Sequence, residues 1–308
     1  MAVTITQLTA FLTVVRRGSV KAAAEELVVT QPSVSAAIAS LEREIGVRLT
    51  ERSGRTLRPT AAGSAYASYA ADVLGLLAQG ARAARERAGG ARRTLSIGAV
   101  TIAAEHLAPT LIHAFRKHDP QLELGLVVGN RADILARLGG HDVDIAITGR
   151  PPDDGRLHAR AFARDDFTLV AAASDPLAKR TRLALEELEQ RPWLMREQGS
   201  GTRAVCESYL AARGLQPPLM TIGSTGAIKA SVRLGLGISL QSRWAVQHEL
   251  ALGLLCALHP HGGLPRGAWY VVRSAVGPVR DEVEAFMRFA ESDEARIALR
   301  RALDGGGA

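Results

Sequence analysis

Hydrogen-bonding side chains are concentrated on one face of a short helix that the sequence predicts from residue 31 onward. This face is nearly free of acid and is formed by Thr30, Gln31, Pro32, Ser33, Ser35, Ser40 and Arg43. Hydroxyl and amide groups of this kind form hydrogen bonds with base edges, and short side chains let a helix enter a groove. Three arginines follow closely, at Arg52, Arg55 and Arg58. Guanidinium groups contact phosphates, so the two sets together favour double-stranded DNA as a partner.

Two helices and a tight turn are predicted to position this face. Ser19 and Thr30 are good N-caps for helices over 20–27 and from 31 onward, and Gly46 suits a C-terminal cap. The second of these helices has apolar residues at steps of three and four, which predicts one buried stripe made of Val34, Ile38, Leu41 and Ile45. The pattern indicates a helix-turn-helix whose second helix begins at the polar face.

The basic segment 47–59 predicts a small β-hairpin. Ser53 and Gly54 form its turn, between two short runs that contain Leu49 and Leu57. A hairpin that directly follows the helices suits a wing whose arginines contact phosphates and fix the register on the duplex. A solvated basic hairpin without a partner is the alternative, and the position of the segment favours the wing.

Residues 4–63 resemble the winged helix-turn-helix of LysR-type transcriptional regulators, and the family resemblance extends over nearly the whole chain. The matching text is Leu8-Thr9-Ala10-Phe11, Ser19-Val20-Lys21-Ala22-Ala23-Ala24, Thr30-Gln31-Pro32-Ser33-Val34-Ser35, Leu41-Glu42 and Thr60-Ala61-Ala62-Gly63. The resemblance implies a winged helix-turn-helix that binds promoter DNA. Ala36 stands where the family often has arginine, and Thr50 where it usually has phenylalanine. We therefore expect one DNA contact fewer and looser packing of the wing.

The positive charge of the chain is concentrated in its N-terminal third. The 308 residues carry a net charge of +7. Residues 1–60 hold 8 Lys/Arg and 5 Asp/Glu, residues 61–93 hold 5 and 2, and the rest of the chain holds 25 and 24. A basic module joined to a nearly neutral one is typical of nucleic-acid binding, and the length suggests two or three domains.

Composition and motifs argue against several other classes of protein. No eighteen consecutive residues are apolar, which argues against a membrane span, and the predicted first helix leaves no room for a signal peptide, so we expect a cytoplasmic protein. Cys206 and Cys256 are fifty residues apart. We expect two buried free thiols, with a redox switch as the alternative. Nucleophile elbow, phosphate-loop and zinc-helix motifs are lacking, so we expect no enzyme activity, no cofactor and no metal.

A linker helix is predicted over 61–88, capped by Thr60. Its apolar and small residues recur at alternating steps of three and four, namely Tyr66, Tyr69, Val73, Leu76, Gly80 and Ala83. Such a stripe packs either on the chain's own core or on a second copy of the helix. The resemblance favours the second copy, because LysR-type regulators dimerise through this helix. Gly89 and Gly90 then mark a boundary between the linker, residues 61–90, and the remaining residues 91–308.

From residue 94 onward, short apolar strands alternate with helical segments. Strands are predicted over 95–100, 122–128, 143–148 and 167–173, and helices over 101–118, 131–138 and 202–213. This alternation argues for an α/β domain with largely parallel sheets. The resemblance implies an effector domain of two α/β subdomains, similar to periplasmic binding proteins. It places subdomain I at 92–164 and 268–300 and subdomain II at 165–267, with crossings near Arg164 and Gly267.

Polar loops follow several of these strands, where open α/β sheets collect ligands. The expected effector-binding residues are Thr101, Asn130, Thr148, Ser200, Gly201, Thr202 and Thr225. Any one of them alone is more often a helix cap, and the resemblance is what brings them to one cleft. The stretches 144–152, 199–203 and 223–229 look like the subgroup that regulates carbon fixation and sulfur assimilation, whose effectors are often anionic metabolites. Because Val100 and Ile102 flank Thr101, a smaller or less charged effector is expected.

Two classes of function remain open on these grounds. The favoured one is a homodimeric or tetrameric transcription factor that binds promoter DNA and responds to a small effector through DNA bending and contact with RNA polymerase. The other is a solute-binding or enzymatic α/β protein whose N-terminal module is incidental. A regulator that needs no effector, because its cleft is filled or collapsed, is a third possibility.

Overall fold

The computed structural model of the chain describes residues 2–53, 56–89 and 92–303, which divide into two units. Unit 1 runs through Arg92 and includes the short segment Gly139–Asp142. Unit 2 contains Arg93–Leu138 and the residues from Val143 onward. The division at Arg92 falls two residues after the predicted boundary at residue 90.

Unit 1 begins with three helices, α1 (Ile5–Arg17), α2 (Val20–Leu27) and α3 (Gln31–Ile45). The side chains of Ser19 and Thr30 accept hydrogen bonds from the backbone N–H groups of Ala22 and Ser33, which fixes the starts of α2 and α3. Gly46 has φ +82°, a left-handed conformation in which it ends α3. Apolar side chains from all three helices form the core: Ala10, Val14, Ala23, Ala24, Val34 and Ile38. The predicted helix-turn-helix is therefore confirmed.

The predicted wing is an antiparallel hairpin of β1 (Thr50–Ser53) and β2 (Thr56–Pro59). Gly54, which belongs to the predicted turn, and Arg55, which is one of the predicted phosphate-contacting arginines, lie outside the described residues. Glu42 of α3 holds the base of the wing, because its Oε1 accepts hydrogen bonds from the N–H groups of Leu49 and Thr50 and from the Thr50 hydroxyl. Thr50 therefore has a polar attachment where phenylalanine is usual in the family.

The linker helix α4 (Ala61–Arg87) begins at Thr60, whose hydroxyl accepts a hydrogen bond from the N–H of Gly63. A Cβ at Gly63 would lie 1.9 Å from the carbonyl oxygen of Leu49, so the start of α4 packs on the chain before the wing through a residue without a side chain. Farther along α4, Tyr69 and Val73 of the predicted stripe are exposed. Unit 1 thus leaves much of that stripe uncovered.

Unit 2 is organised around one mixed sheet with the strand order β10-β6-β11-β5-β3-β4, in which β9 also pairs with β6. The strands are β3 (Thr94–Val100), β4 (Glu123–Gly129), β5 (Ile145–Thr148), β6 (Leu157–Ala172), β9 (Ser239–Ser242), β10 (Leu255–Leu258) and β11 (Arg266–Ser274). Two further strands, β7 (Trp193–Met195) and β8 (Leu219–Thr221), form a separate parallel pair. Only β4, β3 and β5 run parallel within the large sheet, and β11, β6, β9 and β10 pair antiparallel. The expectation of largely parallel sheets is therefore wrong, because the strands that cross between subdomains reverse direction.

The long strand β6 changes partners along its length. Up to Asp166 it pairs with β11, and from Phe167 onward it pairs with β9 and β10. Gly267 of β11 lies opposite Asp165 of β6. The point at which the sheet passes from one half of unit 2 to the other thus lies within three residues of the expected crossing at Arg164.

Helices cover the sheet of unit 2. They are α5 (Thr101–His106), α6 (Ala108–Phe115), α7 (Arg131–Gly139), α8 (Leu185–Glu189), α9 (Gly201–Ala211), α10 (Thr225–Arg233), α11 (Arg243–Ala251), α12 (Asp281–Ala290) and α13 (Asp293–Leu303). The single helix predicted over 101–118 is wrong, since it is divided into α5 and α6 at Leu107. Pro109 explains the break, because its ring clashes with the preceding turn and it has no N–H to donate.

A buried ion pair ties strands β3 and β5 to the helix α12. Arg280, which precedes α12, lies 3.2 Å from a carboxylate oxygen of Asp144 and donates to the carbonyl oxygen of Thr94. The other oxygen of Asp144 accepts the N–H of Ser96. Asp144 therefore connects β3, β5 and α12, and its role is structural.

Candidate functional site

The polar face predicted at the start of α3 is exposed. Gln31, Pro32, Ser33 and Ser35 are all solvent-accessible on the first turn and a half of the helix, while Val34 points into the core. The hydroxyls of Thr30 and Ser33 lie 2.8 Å apart and share a hydrogen bond, in addition to the cap that Thr30 provides. The amide of Gln31 at the exposed N-terminus of α3 is thus available to a partner, and the Ser33 hydroxyl retains acceptor capacity.

Arginines flank this face within unit 1. Arg43, Arg52 and Arg58 are exposed, and Arg55 lies outside the described residues. The side chain of Arg43 lies back along α3, with its Nε 3.4 Å from the carbonyl oxygen of Ala39. Ser40 is half-buried on the same helix. An exposed polar helix start next to exposed guanidinium groups is the arrangement that combines base contacts with phosphate contacts.

A cavity of about 830 Å³ lies within unit 2, at the end of the parallel strands. Thr101 after β3, Asn130 after β4 and Thr148 at the end of β5 line one side of it. Ser200, Gly201 and Thr202 at the start of α9 line the other side. Six of the seven effector-binding residues expected from the sequence therefore surround one space, whose size is typical of a small-molecule site.

Thr225 is the exception among the expected residues, because it does not line the cavity. It is buried, and its hydroxyl accepts a hydrogen bond of 2.7 Å from the guanidinium of Arg196. Arg196 lines the cavity and also forms an ion pair with Glu197 at 2.7 Å. Thr225 thus contacts the site only through Arg196, a residue that the sequence reasoning did not single out.

A backbone hydrogen bond joins the two sides of the cavity. The N–H of Ala132 in α7 donates to the carbonyl oxygen of Gly199, at 3.1 Å. Gly199 has φ +85°, and a Cβ there would lie 3.1 Å from the side chain of Ala132, so the close approach favours glycine. Asn130 uses its Oδ1 to accept the N–H of Asp133, which leaves its amide NH₂ group as a donor toward the cavity.

Basic side chains give the cavity a positive character. Arg131, Arg150 and Arg266 line it, and none of them forms an ion pair with a carboxylate within the described residues. The guanidinium of Arg131 donates to the carbonyl oxygen of Arg150. Among the described residues that line the cavity, Asp165 is the one acidic side chain. Burial raises the pKa of the Asp165 carboxyl to about 6, despite the hydrogen bond that the Ser242 hydroxyl donates to it.

Several buried polar atoms around the cavity have no hydrogen-bond partner within the described residues. They are the hydroxyl oxygens of Thr148 and Tyr209 and the indole nitrogen of Trp269. Unpaired buried groups of this type are uncommon in native proteins. Sequence reasoning singled out Thr148 because it follows a strand, but it missed Tyr209 and Trp269, since aromatic residues on a helix or strand ordinarily indicate core.

The cysteines show no feature of a reactive site. Cys206 is buried, and burial raises the pKa of its thiol to about 12. Cys256 is only half-buried, so the expectation of two buried thiols is wrong for this residue. Its thiol donates to the carbonyl oxygen of Ala172 on the neighbouring strand.

Within residues 2–53, 56–89 and 92–303, His, Cys, Asp and Glu side chains form no cluster that could hold a metal. The same residues contain no helix long and apolar enough to span a membrane.

A helix-turn-helix, a linker helix and a two-part α/β domain with an internal cleft are together the parts of a DNA-binding transcriptional regulator with an effector-binding domain. Two family models match the chain accordingly. "Bacterial regulatory helix-turn-helix protein, lysR family" matches residues 5–64, and "LysR substrate binding domain" matches residues 88–294. The chain belongs to the LysR family of DNA-binding regulators.

The chain is similar to several transcriptional regulators over nearly their whole length. The transcriptional regulator CbbR of Sinorhizobium medicae is 35% identical over 300 residues, which cover 96% of this chain and 94% of that protein. The transcriptional activator CmpR of Synechocystis is 33% identical, with 96% and 97% covered. The RuBisCO operon transcriptional regulator of Allochromatium vinosum is 33% identical, with 97% and 99% covered. The resemblance to the carbon-fixation subgroup is therefore confirmed.

Solved structures show the same fold. The regulatory domain of Synechocystis CcmR in complex with 2-PG has a TM-score of 0.61 and 25% identity, and the match covers 65% of this chain and 96% of that one. A full-length OxyR variant of Pseudomonas aeruginosa has a TM-score of 0.62 and 23% identity, with 96% and 97% covered. The second likeness extends the shared fold to the N-terminal module and the linker helix.

Proposed function

We propose that this regulator binds a small anionic metabolite in the cavity of unit 2 and changes its action on promoter DNA in response. The observation that carries the proposal is the convergence of Thr101, Asn130 and Thr148 with Ser200 and Thr202 around one space. Hydroxyls, an amide NH₂ and the start of a helix offer hydrogen bonds to carboxylate or phosphate oxygens. Three arginines without carboxylate partners in the described chain favour a negative ligand.

The open cavity also argues against a regulator that needs no effector. Such a protein would fill or collapse its cleft, whereas about 830 Å³ is free here. The CcmR regulatory domain, solved with 2-PG, supports a small ligand in a domain of this fold. We expect the effector-binding residues to be Thr101, Asn130, Thr148, Ser200, Gly201 and Thr202, with Thr225 acting through the buried Arg196.

On the DNA side, we propose that α3 enters the major groove with its first turn and that the wing arginines contact phosphates. The exposed stripe of α4, including Tyr69 and Val73, supports pairing with a second copy of the helix. A homodimer, or a tetramer built from two dimers, would place two α3 helices on related half-sites. Contact with RNA polymerase belongs to the same proposal.

The effector half of the proposal is tested by titrating the full-length protein with 2-phosphoglycolate and following binding by calorimetry. We expect 2-phosphoglycolate to bind, and we expect Thr202→Val to weaken this binding by about ten- to a hundredfold, because loss of one hydrogen bond to a charged group costs about 1.5–3 kcal/mol. Thr181→Val, at an exposed position outside the cavity, is the matched control. Equal affinity of both variants would remove Thr202 from the site.

The DNA half is tested with the DNA just upstream of the regulator's own gene, compared with random DNA of equal length at fixed salt. We expect Gln31→Ala to weaken specific binding by about 1–3 kcal/mol if its amide contacts a base edge. We expect Arg52→Ala to weaken binding to both DNAs and to reduce the salt dependence by about one counterion. Gln121→Ala, exposed on unit 2, is the control for the first variant. Unchanged affinities of both test variants would contradict the interface.

A further inference from the structure

The helix α9 lines the cavity along its whole length and not only at its start. Gly201, Val205, Ser208 and Ala212 belong to the lining and follow one another at steps of three and four, so they occupy one face of the helix. Eleven residues separate the first from the last, which corresponds to about 16 Å at a rise of 1.5 Å per residue. A two-carbon acid held at the first turn of α9 would leave most of this length unfilled.

The chemistry of the cavity changes along α9. At the first turn, hydroxyls and an amide surround the space. Beyond it lies a part that we name the apolar arm, formed by Phe167, Val205, Tyr209, Ala212, Leu264 and Pro265. Phe167, Val205 and Leu264 are half-buried and pack on the core cluster around Trp193, so the arm is a supported surface and not a loose loop. An apolar group of a bound ligand would displace water from this space, which is favourable.

The side chain of Tyr209 lies in the apolar arm with an unused hydrogen-bonding group. The residue is buried, and its hydroxyl has no partner within the described residues. Its ring is fixed between Trp193, with ring centroids 6.0 Å apart, and the guanidinium of Arg213, which lies 3.9 Å from the ring centre. Burial raises the pKa of the Tyr209 hydroxyl, so it remains a donor at neutral pH. A ligand that filled the arm could supply the missing acceptor.

We infer that the effector of this protein is an amphipathic organic acid, whose acidic group lies at the first turn of α9 and whose apolar body extends along the arm toward Tyr209. This inference rests on the proposed function, because it names the chemical class of the ligand in the same cleft. It also agrees with the apolar neighbours of Thr101, namely Val100 and Ile102, which line the cavity on the opposite side. The lining beyond the first turn of α9 is mostly apolar, although Ser208 and Arg213 also belong to it. A cavity divided in this way favours a ligand with an acidic group at one end and an apolar body.

The test compares glycolate with 3-phenyllactate, which has the same hydroxy-acid group and an added benzyl group. Both are titrated into the full-length protein by calorimetry. We expect 3-phenyllactate to bind at least about tenfold more tightly, because burial of a phenyl ring contributes that much to an equilibrium constant. Ala212→Phe fills the far end of the arm from an exposed position, so we expect it to weaken 3-phenyllactate by about tenfold and to leave glycolate unchanged within about twofold.

The neighbouring substitution Ala211→Phe is the matched control, since Ala211 is also exposed but does not line the cavity. It is expected to change neither affinity. Equal or weaker binding of 3-phenyllactate compared with glycolate overturns the inference and leaves the proposed function intact, as long as Thr202→Val weakens both acids. If neither acid binds, the inference fails as well, and the titration with 2-phosphoglycolate decides separately about the proposed function.

Discussion

Asp165 is a buried acid in a cavity that we propose to bind anions, and its replacement by asparagine should stabilise the protein at neutral and alkaline pH. The side chain lies on β6 at the point where the strand changes partners, and the Ser242 hydroxyl donates to it. Asparagine keeps an acceptor oxygen for Ser242 and removes the charge. The substitution therefore isolates the cost of burying the carboxylate.

The magnitude follows from the pKa of Asp165 in the folded chain. Burial raises this pKa from 3.8 to about 6, and a difference of about two units corresponds to ~3 kcal/mol. Because the folded-state pKa is the higher one, the stability contributed by the protonated acid is fully present below pH 3.8 and is lost as the pH rises through about 6. We expect Asp165→Asn to exceed the parent protein in stability by about 2–3 kcal/mol at pH 8 and by close to nothing at pH 4.

Urea unfolding monitored by tryptophan fluorescence measures this difference. All three tryptophans, Trp193, Trp244 and Trp269, belong to unit 2, so the signal reports the part of the chain that contains Asp165. Asp166→Asn, at the exposed neighbouring position, is the matched control and should change stability by less than about 0.5 kcal/mol. The reasoning would be refuted if Asp165→Asn were less stable than the parent at pH 8. It would also be refuted if the free energy of unfolding changed by the same amount at pH 4 and pH 8.

Three substitutions test the packing that supports the two sites. Val28 has φ +55° in the turn between α2 and α3 and is 89% exposed, so Val28→Gly should raise the free energy of unfolding by about 1 kcal/mol in thermal melts. Gly63→Ala should displace the wing, since its Cβ would meet the carbonyl oxygen of Leu49; we expect a loss of about 2–3 kcal/mol and weaker DNA binding in gel-shift assays. Arg280→Ala removes the guanidinium that faces buried Asp144, and urea unfolding should show a loss of about 3 kcal/mol.

The helices of unit 1 could be predicted almost to the residue because their ends depend on local chemistry. Ser19 and Thr30 accept hydrogen bonds from backbone groups three residues later, and Gly46 adopts the left-handed conformation that ends α3. These interactions involve neighbours in sequence, so the pattern of residues contains them. The attachment of Thr50 to Glu42 could not be foreseen in the same way, since it joins a strand to a helix through a side chain.

In unit 2, the sequence pattern was insufficient where tertiary pairing decides the structure. The first half of β6 contains His158, Arg160 and Arg164 between small apolar residues, which gave no strand signal. This first half of β6 is a strand because β11 pairs with it from Leu157 to Asp166. The short strand β7 was also missed, since three residues are too few to show a period. The sheet is mixed because β11 pairs antiparallel with β5 and β6, and β6 pairs antiparallel with β9 and β10.

The candidate cleft was foreseen in part, and the difference has a physical cause. Residues after strands, such as Thr101 and Asn130, lie where a parallel sheet places its loops, so position alone indicates them. Asp165, Tyr209 and Arg266 reach the cavity through the crossing strands and the far end of α9, which depend on how the two halves of unit 2 meet. Thr225 was expected at the cavity because the stretch 223–229 resembles the family, but its hydroxyl instead contacts Arg196, which lines the space.

A ligand in this cleft would be able to act on the protein only through its unequal affinity for different arrangements of the two halves. Thr101 follows β3 and Thr148 ends β5 in the first half, whereas Ser200 and Thr202 lie at the start of a helix of the second. A ligand that forms hydrogen bonds with both sets binds most tightly to the arrangement that brings both sets to it. A ligand that contacts one set alone, and so binds every arrangement equally, does not shift the populations. The length of the apolar arm matters for the same reason, because Phe167 lies on the crossing strand β6 and Leu264 lies two residues before the crossing strand β11. An acid with an apolar body would therefore contact the first turn of α9 and the crossing region together, which is the condition for a large shift.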